Sequence, residues 1–516
     1  CAICGGIQLN LSLYKDLEYQ NKSISIASKS SVCRPFDDES DGSVAGEAAV
    51  LFLLKKLSDA ERDNDHIYAV IRGFAANHNG FRSNSLASPS SDGQTEVIVK
   101  AIQNAGVNPE NIGLIETHGT GTNIGDPIEI KGLSDAFHQF TEKRAFCSLG
   151  AVKSNFGHAG ICAGAVGLLK AVASLSLKKR YPIANYHQPN RLIDFENSPF
   201  YPQSTLDHWE QSGIRTAGVS SLGLSGTNVF GILTEYPQQK PEAETASTDV
   251  FSISAASEDA LQRYKAVLAS KIAQSSDSVK ALCAAMNYGR NDDRFRDSAV
   301  VHNREEILQF LQEQHPVPET KPHRVILAYS GDALVSAEKI RAFCRDEVFR
   351  KHYDAISHAA NGLKEEHLGM VFYLAAARAL AELGMEAAAN TGSGMGNAVV
   401  KVQSGAVRVT ELKAEMETLG SKSFDAEKFK QVMTELCRKE HYLFADVLHG
   451  EMAIAFEETA TEDSVSVDLT GTESIYEVFH MLYNAGATVN WKQYYHGSVP
   501  RRAVLPSYPF AENHVW

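Results

Sequence analysis

Short apolar runs that empty straight into glycine-rich loops recur through residues 1–235, and no other feature narrows the possible folds as much. Residues 112–117 run into His118-Gly119-Thr120-Gly121-Thr122. Residues 145–149 precede a loop carrying Lys153 and His158. Residues 214–219 lead into Ser220-Ser221-Leu222-Gly223-Leu224-Ser225-Gly226-Thr227-Asn228. Runs of this length bounded by turn residues read as strands of a buried sheet. Helical patterns fall between them. Residues 96–105 have helical spacing and end at Gly106, a residue suited to the left-handed position after a helix. Asp126-Pro127 predicts a helix start, with Asp as N-cap and Pro in the first turn. Residues 160–177 are apolar on most faces and predict a buried helix. Residues 44–57 read as a strand buried on both faces, or as a buried helix. The alternation is that of an α/β fold, which places chemistry at the carboxyl ends of its strands.

Composition excludes some functions. The 516 residues carry a formal net charge of −14, with 43% hydrophobic residues. An acidic chain does not suit a nucleic acid partner, because phosphate neutralisation needs clustered Lys and Arg. No apolar run nears the length of a membrane span, and no basic-then-apolar signal opens the chain, so neither membrane nor export is expected. Six of the eight cysteines are scattered or sit inside apolar runs, as in a reduced cytoplasmic protein. Cys1 and Cys4 form C-x-x-C without a second pair at metal-ligand spacing, so no metal is expected. They read as small residues of a buried strand running into Gly5-Gly6.

Beyond residue 235 the organisation changes. Residues 236–249 form a polar linker with two prolines. Residues 250–322 alternate strand and helix signals, including helical runs at 260–274 and 304–314. Residues 324–329 read as a strand, 372–383 as a helix, and 473–485 as a helix stopped by Gly486. The Gly392-Ser393-Gly394-Met395-Gly396 run is a weak nucleotide-binding signal, since no βαβ pattern frames it.

Three side chains in the first region carry the chemistry: His118, Lys153 and His158. Two imidazoles beside glycine-rich backbone can aim N–H donors at one developing oxyanion. Lys153 could hold a carboxylate or tune the charge around His158. A helix start after His158 would lower its pKa and favour the neutral donor. Any one of 18 histidines is more often a packed or surface residue; the combination is what points to a site.

Glu116-Thr117-His118-Gly119-Thr120-Gly121-Thr122 with Gly125-Asp126-Pro127-Ile128-Glu129 resembles the first histidine motif of type I polyketide ketosynthases. Lys153-Ser154-Asn155-Phe156-Gly157-His158 is similar to the family's lysine and second-histidine motif. Gly218-Val219-Ser220-Ser221 through Asn228 resembles the loop near the acyl pocket. Cys33-Arg34-Pro35-Phe36-Asp37 and Gly46-Glu47 match upstream, in the family's order. The resemblance covers residues 1–235. It implies a homodimeric enzyme of thiolase-like fold, layered α/β/α/β/α. A cysteine takes an acyl chain from the phosphopantetheine arm of an acyl carrier protein. His118 and His158 support decarboxylation of a malonyl-type extender, and Claisen attack on the acyl-cysteine follows. Lys153 supports the His158 side, Thr120 and Thr122 hold the pantetheine, and Asn155, Leu222, Gly223 and Leu224 line the substrate site. No cofactor is implied within the chain itself.

Departures bear on the details. The family's nucleophile lies in a Thr-Ala-Cys-Ser-Ser motif just before the Ala-Ile-Cys-Gly-Gly segment, and the sequence opens at that segment. The expectation is that the numbered chain is part of a larger protein. Ala48, Gly160, Leu222, Leu224 and Phe230 replace residues common in relatives, which bears on substrate preference. Two other readings stay open: a ketosynthase that transfers or decarboxylates without condensing, and a docking scaffold. Retention of both histidines weighs against the non-elongating class, which typically lacks one.

Residues 347–350 and 379–385 resemble early helices of the acyltransferase that follows ketosynthases. Its Gly-His-Ser-x-Gly elbow is expected at 392–396, where Ser393 takes the histidine position and Gly394 the nucleophile position. Ser330-Gly331-Asp332 stands where its opening loop should be. The implied domains are a ketosynthase part (1–235), a linker domain (236–322), a degenerate acyltransferase remnant similar to the α/β hydrolases (323–456) and a post-acyltransferase linker (457–516). A remnant between intact linkers implies a trans-acting acyltransferase; colibactin-type assembly lines are one such setting.

Overall fold

Alternating burial organises the first region. The computed structural model describes residues 1–9, 26–83, 88–237, 248–419, 424–437, 441–458, 464–497 and 501–510. Two units emerge: Cys1–Arg62 with Ile67–Gln239, and Asp63–His66 with Lys240–Trp516. The expected linker lies largely outside the described residues.

In the first unit, β1 (Ala2–Gln8) and β2 (Ala48–Leu54) pair antiparallel, and the other main strands build one sheet. These are β3 (Val70–His78), β4 (Ile112–Glu116), β5 (Cys147–Gly150), β6 (Phe200–Pro202), β7 (Thr216–Leu222) and β8 (Thr227–Thr234). Their order is β3-β8-β7-β4-β5-β6, with β8 antiparallel to both neighbours and β7, β4, β5 and β6 mutually parallel. Successive side chains of a strand face opposite ways. Ile115 of β4 therefore joins the core formed with α1 (Ser91–Ala105) and α2 (Gly125–Phe137), beside Ile98, Ala101 and Leu133. Leu114, one residue earlier, packs with Ala171 and Leu175 of α3 (Ala163–Leu177) on the other face. Beyond α3, Val50 of β2 meets Cys162 and Val166. The described residues thus stack as α/β/α/β, four of the five layers expected.

Several expectations need correction. Residues 48–54 do form a strand, but Leu51 and Leu53 are 65% and 71% exposed, because only its inner face meets α3. Cys1 and Cys4, at the start of and within β1, are exposed rather than buried. The helix after Gly121 begins at Gly125, with Ile124 before it making no side-chain cap. Asp126 is not its N-cap: the carboxylate turns back to accept N–H groups from Phe36 (2.9 Å) and Gly121 (3.1 Å). The stretch from Gly160 to Leu177 is helical over 18 residues with mean hydropathy 1.7, long enough to span a membrane by length and composition alone. It is buried along one face only. Ile161 and Leu177 are exposed, and Lys170 turns inward to Glu116, as in a helix lying on a sheet. Residues 96–105 and Gly106 fall as expected, within α1 and at φ 61° after it.

The second unit holds two sheets. β9 (Asp249–Ala255) and β10 (Phe295–Val301) pair antiparallel beside α4 (Glu258–Ile272), α5 (Val279–Asn287) and α6 (Arg304–Gln312). Each of these helices starts on a side-chain cap, from Ser257, Ser278 and Asn303. β11 (Arg324–Tyr329), β12 (Ala389–Gly392), β13 (Tyr442–Ala445) and β14 (Ser464–Ser466) form an all-parallel sheet of order β12-β11-β13-β14. Parallel sheets are covered on their faces. One cover here is α7 (Leu368–Glu382), whose residues from Met370 to Ala377 are all buried.

Candidate active site

Strand β4 ends at Glu116, and the chain turns through Thr117, His118 and Gly119. The turn is held from below. The Glu129 carboxylate on α2 accepts the His118 N–H at 2.7 Å and the Gly119 N–H at 2.8 Å. Gly119 has φ +44°, and a Cβ there would lie 2.8 Å from Thr117 Oγ1 and 2.9 Å from Ala151 Cβ. A side chain would be both strained and obstructed, so glycine is required.

The His118 ring is fixed through Nδ1. The Leu222 N–H points at it from 3.3 Å, and Lys153 Nζ lies 3.5 Å away while donating to the His118 carbonyl. His158 shows the same pattern: its Nδ1 accepts the Gly160 N–H at 3.1 Å. Its backbone is clamped between Val44 and Gly46. A ring nitrogen that accepts a hydrogen bond carries no proton, so each neutral imidazole has its N–H at Nε2. The two rings lie edge to face, centroids 5.6 Å apart and planes at 85°.

Both imidazoles are kept neutral. Burial first, then the Lys153 charge and His158, hold His118 well below the ordinary histidine range. Burial and then Lys153 bring His158 down to about 4. The sequence points to a helix N-terminus as the cause; in the structure α3 starts only at Ala163, after the short turn Gly160–Cys162. The direct contacts of Lys153 are on the His118 side, and its charge acts on both rings.

The other site residues distribute unevenly. Thr120 and Thr122 stand with hydroxyls 3.1 Å apart, and Thr122 Oγ1 accepts the Gly125 N–H. Leu222 ends β7 and reaches His118 through its backbone N–H, and Gly223 and Leu224 lie in the β7–β8 hairpin loop, where the Gly223 N–H donates to Thr227 O at 2.7 Å. Asn155 is exposed, in the helical turn Lys153–Phe156.

Four charged residues give the site its frame without standing out as functional in the sequence: Glu116, Asp126, Glu129 and Lys170. Three of them lie inside the first histidine motif. The legible signal is three acidic residues within fourteen positions of a buried strand–loop–helix, two of them three apart on one face of α2. All three are at most 3% exposed. Asp126 is pushed up to about 7, by burial first and by neighbouring Glu129.

Ser393 and Gly394 form the turn of a strand–turn–helix, between β12 and α8 (Gly396–Gln403). The expectation that no such unit frames the glycines is corrected. Their use is steric: a Cβ on Gly396 would lie 1.7 Å from Tyr329 O, so the glycine lets α8 touch β11. Gly394 turns the chain at φ +43°. Ser393 Oγ is committed, donating to Glu451 and accepting the Gly331 N–H at 2.9 Å. Nearby, Asp446 accepts from Ser330 at 2.6 Å and from Tyr373.

Family models match along the first three hundred residues. The β-ketoacyl synthase N-terminal domain matches residues 1–60, the β-ketoacyl synthase C-terminal domain 68–187, and the ketoacyl-synthetase C-terminal extension 189–299. The chain belongs to the β-ketoacyl synthase family. The match runs past residue 235, into the α/β region that follows. Polyketide synthase PksM of Bacillus subtilis is 37% identical over 60% of this chain, and PksL of the same organism 40% over 49%. A mycocerosic acid synthase-like polyketide synthase of Mycolicibacterium smegmatis is 38% identical over 54%. This ketosynthase chain covers only 8%, 6% and 13% of those proteins. The ketosynthase from module 6 of the bacillaene synthase of Bacillus subtilis covers all of this chain at TM-score 0.63 and 24% identity, over 69% of its own length, and shares the thiolase-like fold. The ketosynthase from module 1 of the bacillaene synthase of Bacillus amyloliquefaciens covers 60% of this chain at TM-score 0.55 and 34% identity, over 55% of its own length.

Proposed function

We propose that the first unit performs the decarboxylative condensation of a polyketide assembly line, on acyl groups held by the phosphopantetheine arm of an acyl carrier protein. The observation that carries this reading is the pair of neutral imidazoles, each with Nδ1 occupied and Nε2–H free to donate. A malonyl thioester oxygen placed between them would receive both donors. As the bond between the α-carbon and the carboxylate breaks and carbon dioxide leaves, the electrons of that bond form the enolate carbon–carbon double bond and the thioester oxygen takes up the negative charge. Two preorganised donors stabilise that charge more than the ground-state carbonyl. The enolate carbon then attacks the carbonyl of an acyl-cysteine, and the carbon–sulfur bond breaks to release the cysteine thiolate and the β-ketoacyl product. The family's Thr-Ala-Cys-Ser-Ser motif does not occur in the sequence. Cys33, pushed up to about 11 by burial, and Cys162, whose thiol donates to Gly6 O, are unsuited to supply the thiolate.

Thr120 and Thr122 fit hydroxyl contacts to the pantetheine arm. The 323–456 region is read as a non-catalytic remnant that recruits partners, because Gly394 sits at the turn where a nucleophile belongs and Ser393 is already bound. The extender would then come from an acyltransferase acting in trans. The setting is a cytoplasmic homodimer serving carrier proteins.

The test presents the full-length protein with an acyl-primed and a malonyl-loaded carrier protein and identifies the product by mass. A β-ketoacyl thioester is expected. Acetyl thioester alone would favour the decarboxylating alternative, and unchanged malonyl thioester would contradict both.

A further inference from the structure

We propose that Glu116, locked to Lys170, is a positioning residue that sets where Lys153 stands and keeps it cationic against His118. Glu116 closes β4, two residues before His118, and is fully buried. One carboxylate oxygen accepts the Val152 N–H at 2.6 Å, fixing the residue immediately before Lys153 at the end of β5. The other faces Lys170 Nζ at 3.2 Å, from the middle of α3, the helix that follows His158. The same strand ends are tied again by Thr117, whose N–H and hydroxyl both donate to Gly150 O. One carboxylate thus joins the three segments that deliver His118, Lys153 and His158.

Glycine makes room for the pair. A Cβ on Gly150 would lie 2.4 Å from Glu116 Oε2 and 3.3 Å from Lys170 Nζ. Two opposed charges in a dry interior are weak evidence for stability, since desolvation offsets most of their attraction. A positioning and electrostatic role accounts for them better. The groups facing Lys153 are Glu116 from β4, Glu129 and Asp126 from α2, and Cys33. His118 and His158 lie within its field. Burial lowers the Lys153 pKa, and Glu129 and Glu116 oppose that. Removing the Glu116 charge therefore favours the neutral amine at a lower pH.

The test is the double variant E116Q/K170M in the full chain. Gln keeps an acceptor for the Val152 N–H, and Met fills the lysine's volume without leaving a lone buried charge. The readout is the Nδ1 shift of His118 in 15N-histidine-labelled protein, followed to alkaline pH, where it senses Lys153 losing its proton. That signal needs no turnover, so it stands apart from the proposed reaction. The expected result is an unchanged unfolding midpoint with the alkaline inflection moved down by about one pH unit. An inflection at the wild-type pH would reduce the pair to a structural contact and overturn the proposal, as would wild-type behaviour in the E116Q single variant.

Discussion

Replacing either His118 or His158 by alanine is expected to lower the rate of malonyl-thioester decarboxylation on the order of 100- to 1000-fold, with little change in KM. Each imidazole supplies one donor to an oxygen whose charge appears only as the carboxylate departs. Loss of such a donor shows in kcat rather than in ground-state binding. Neither change should unfold the protein, because the turn at His118 is held through its backbone by Glu129, and that at His158 through Val44 and Gly46. The pH profile separates this account from one in which an imidazolium acts as acid. Burial and Lys153 bring His158 down to about 4 and hold His118 well below the ordinary histidine range. The neutral donors then persist across the whole mildly acidic range, and the rate should stay flat as pH falls through the ordinary histidine pKa. Stability behaves differently. A histidine whose folded pKa is depressed binds no proton where the unfolded chain already does. The His158 contribution is therefore lost as pH falls from 6.5 towards 4, by about 3 kcal/mol. A rate that drops with an apparent pKa near 6.5 in still-folded protein would contradict the neutral pair.

Glu129→Ala is expected to be the most damaging single change among the buried carboxylates, destabilising the first unit by about 3–5 kcal/mol and abolishing activity. The carboxylate is 3% exposed and accepts two backbone N–H groups at 2.7 and 2.8 Å. Its removal leaves two buried donors unsatisfied and takes from Lys153 the carboxylate that does most to keep it charged. Denaturant unfolding of the full-length variant measures the loss. The position of the turn explains why activity goes with it: His118 would no longer be pinned against the Leu222 N–H. A shift below 1 kcal/mol would mean that the Glu129 contacts are not what holds the loop.

Much of the site was legible because its pieces are local. The His-Gly-Thr-Gly-Thr loop, Lys153 and His158 announce themselves through glycines that only a tight turn needs, and the structure brings His118, after β4, together with Lys153 and His158, both after β5. The carboxylates beneath them were harder to see, because their partners are distant in sequence: Glu116 reaches Val152 and Lys170, and Asp126 reaches Phe36. Asp-Pro at 126–127 reads locally as a cap, and the long-range acceptor role overrode that preference. Burial misled in the β1/β2 pair for a similar reason. Ala48 to Leu54 is apolar enough for a doubly covered strand, yet only its inner face meets α3. Apolar pattern specifies a strand without specifying what covers it. In the second unit the strand at 324–329 fell where periodicity placed it, while Gly392 to Gly396 is a weak signal because glycine serves close helix–strand approach as readily as phosphate binding.

The most direct measurement is a crystal structure of the protein with a malonyl-pantetheine thioester whose carboxylate cannot leave. The thioester oxygen is expected at about 2.7–3.1 Å from both Nε2 atoms, of His118 and of His158. An oxygen bound by neither imidazole, or a His118 ring turned so that Nδ1 faces the ligand and leaves Leu222 and Lys153, would contradict it.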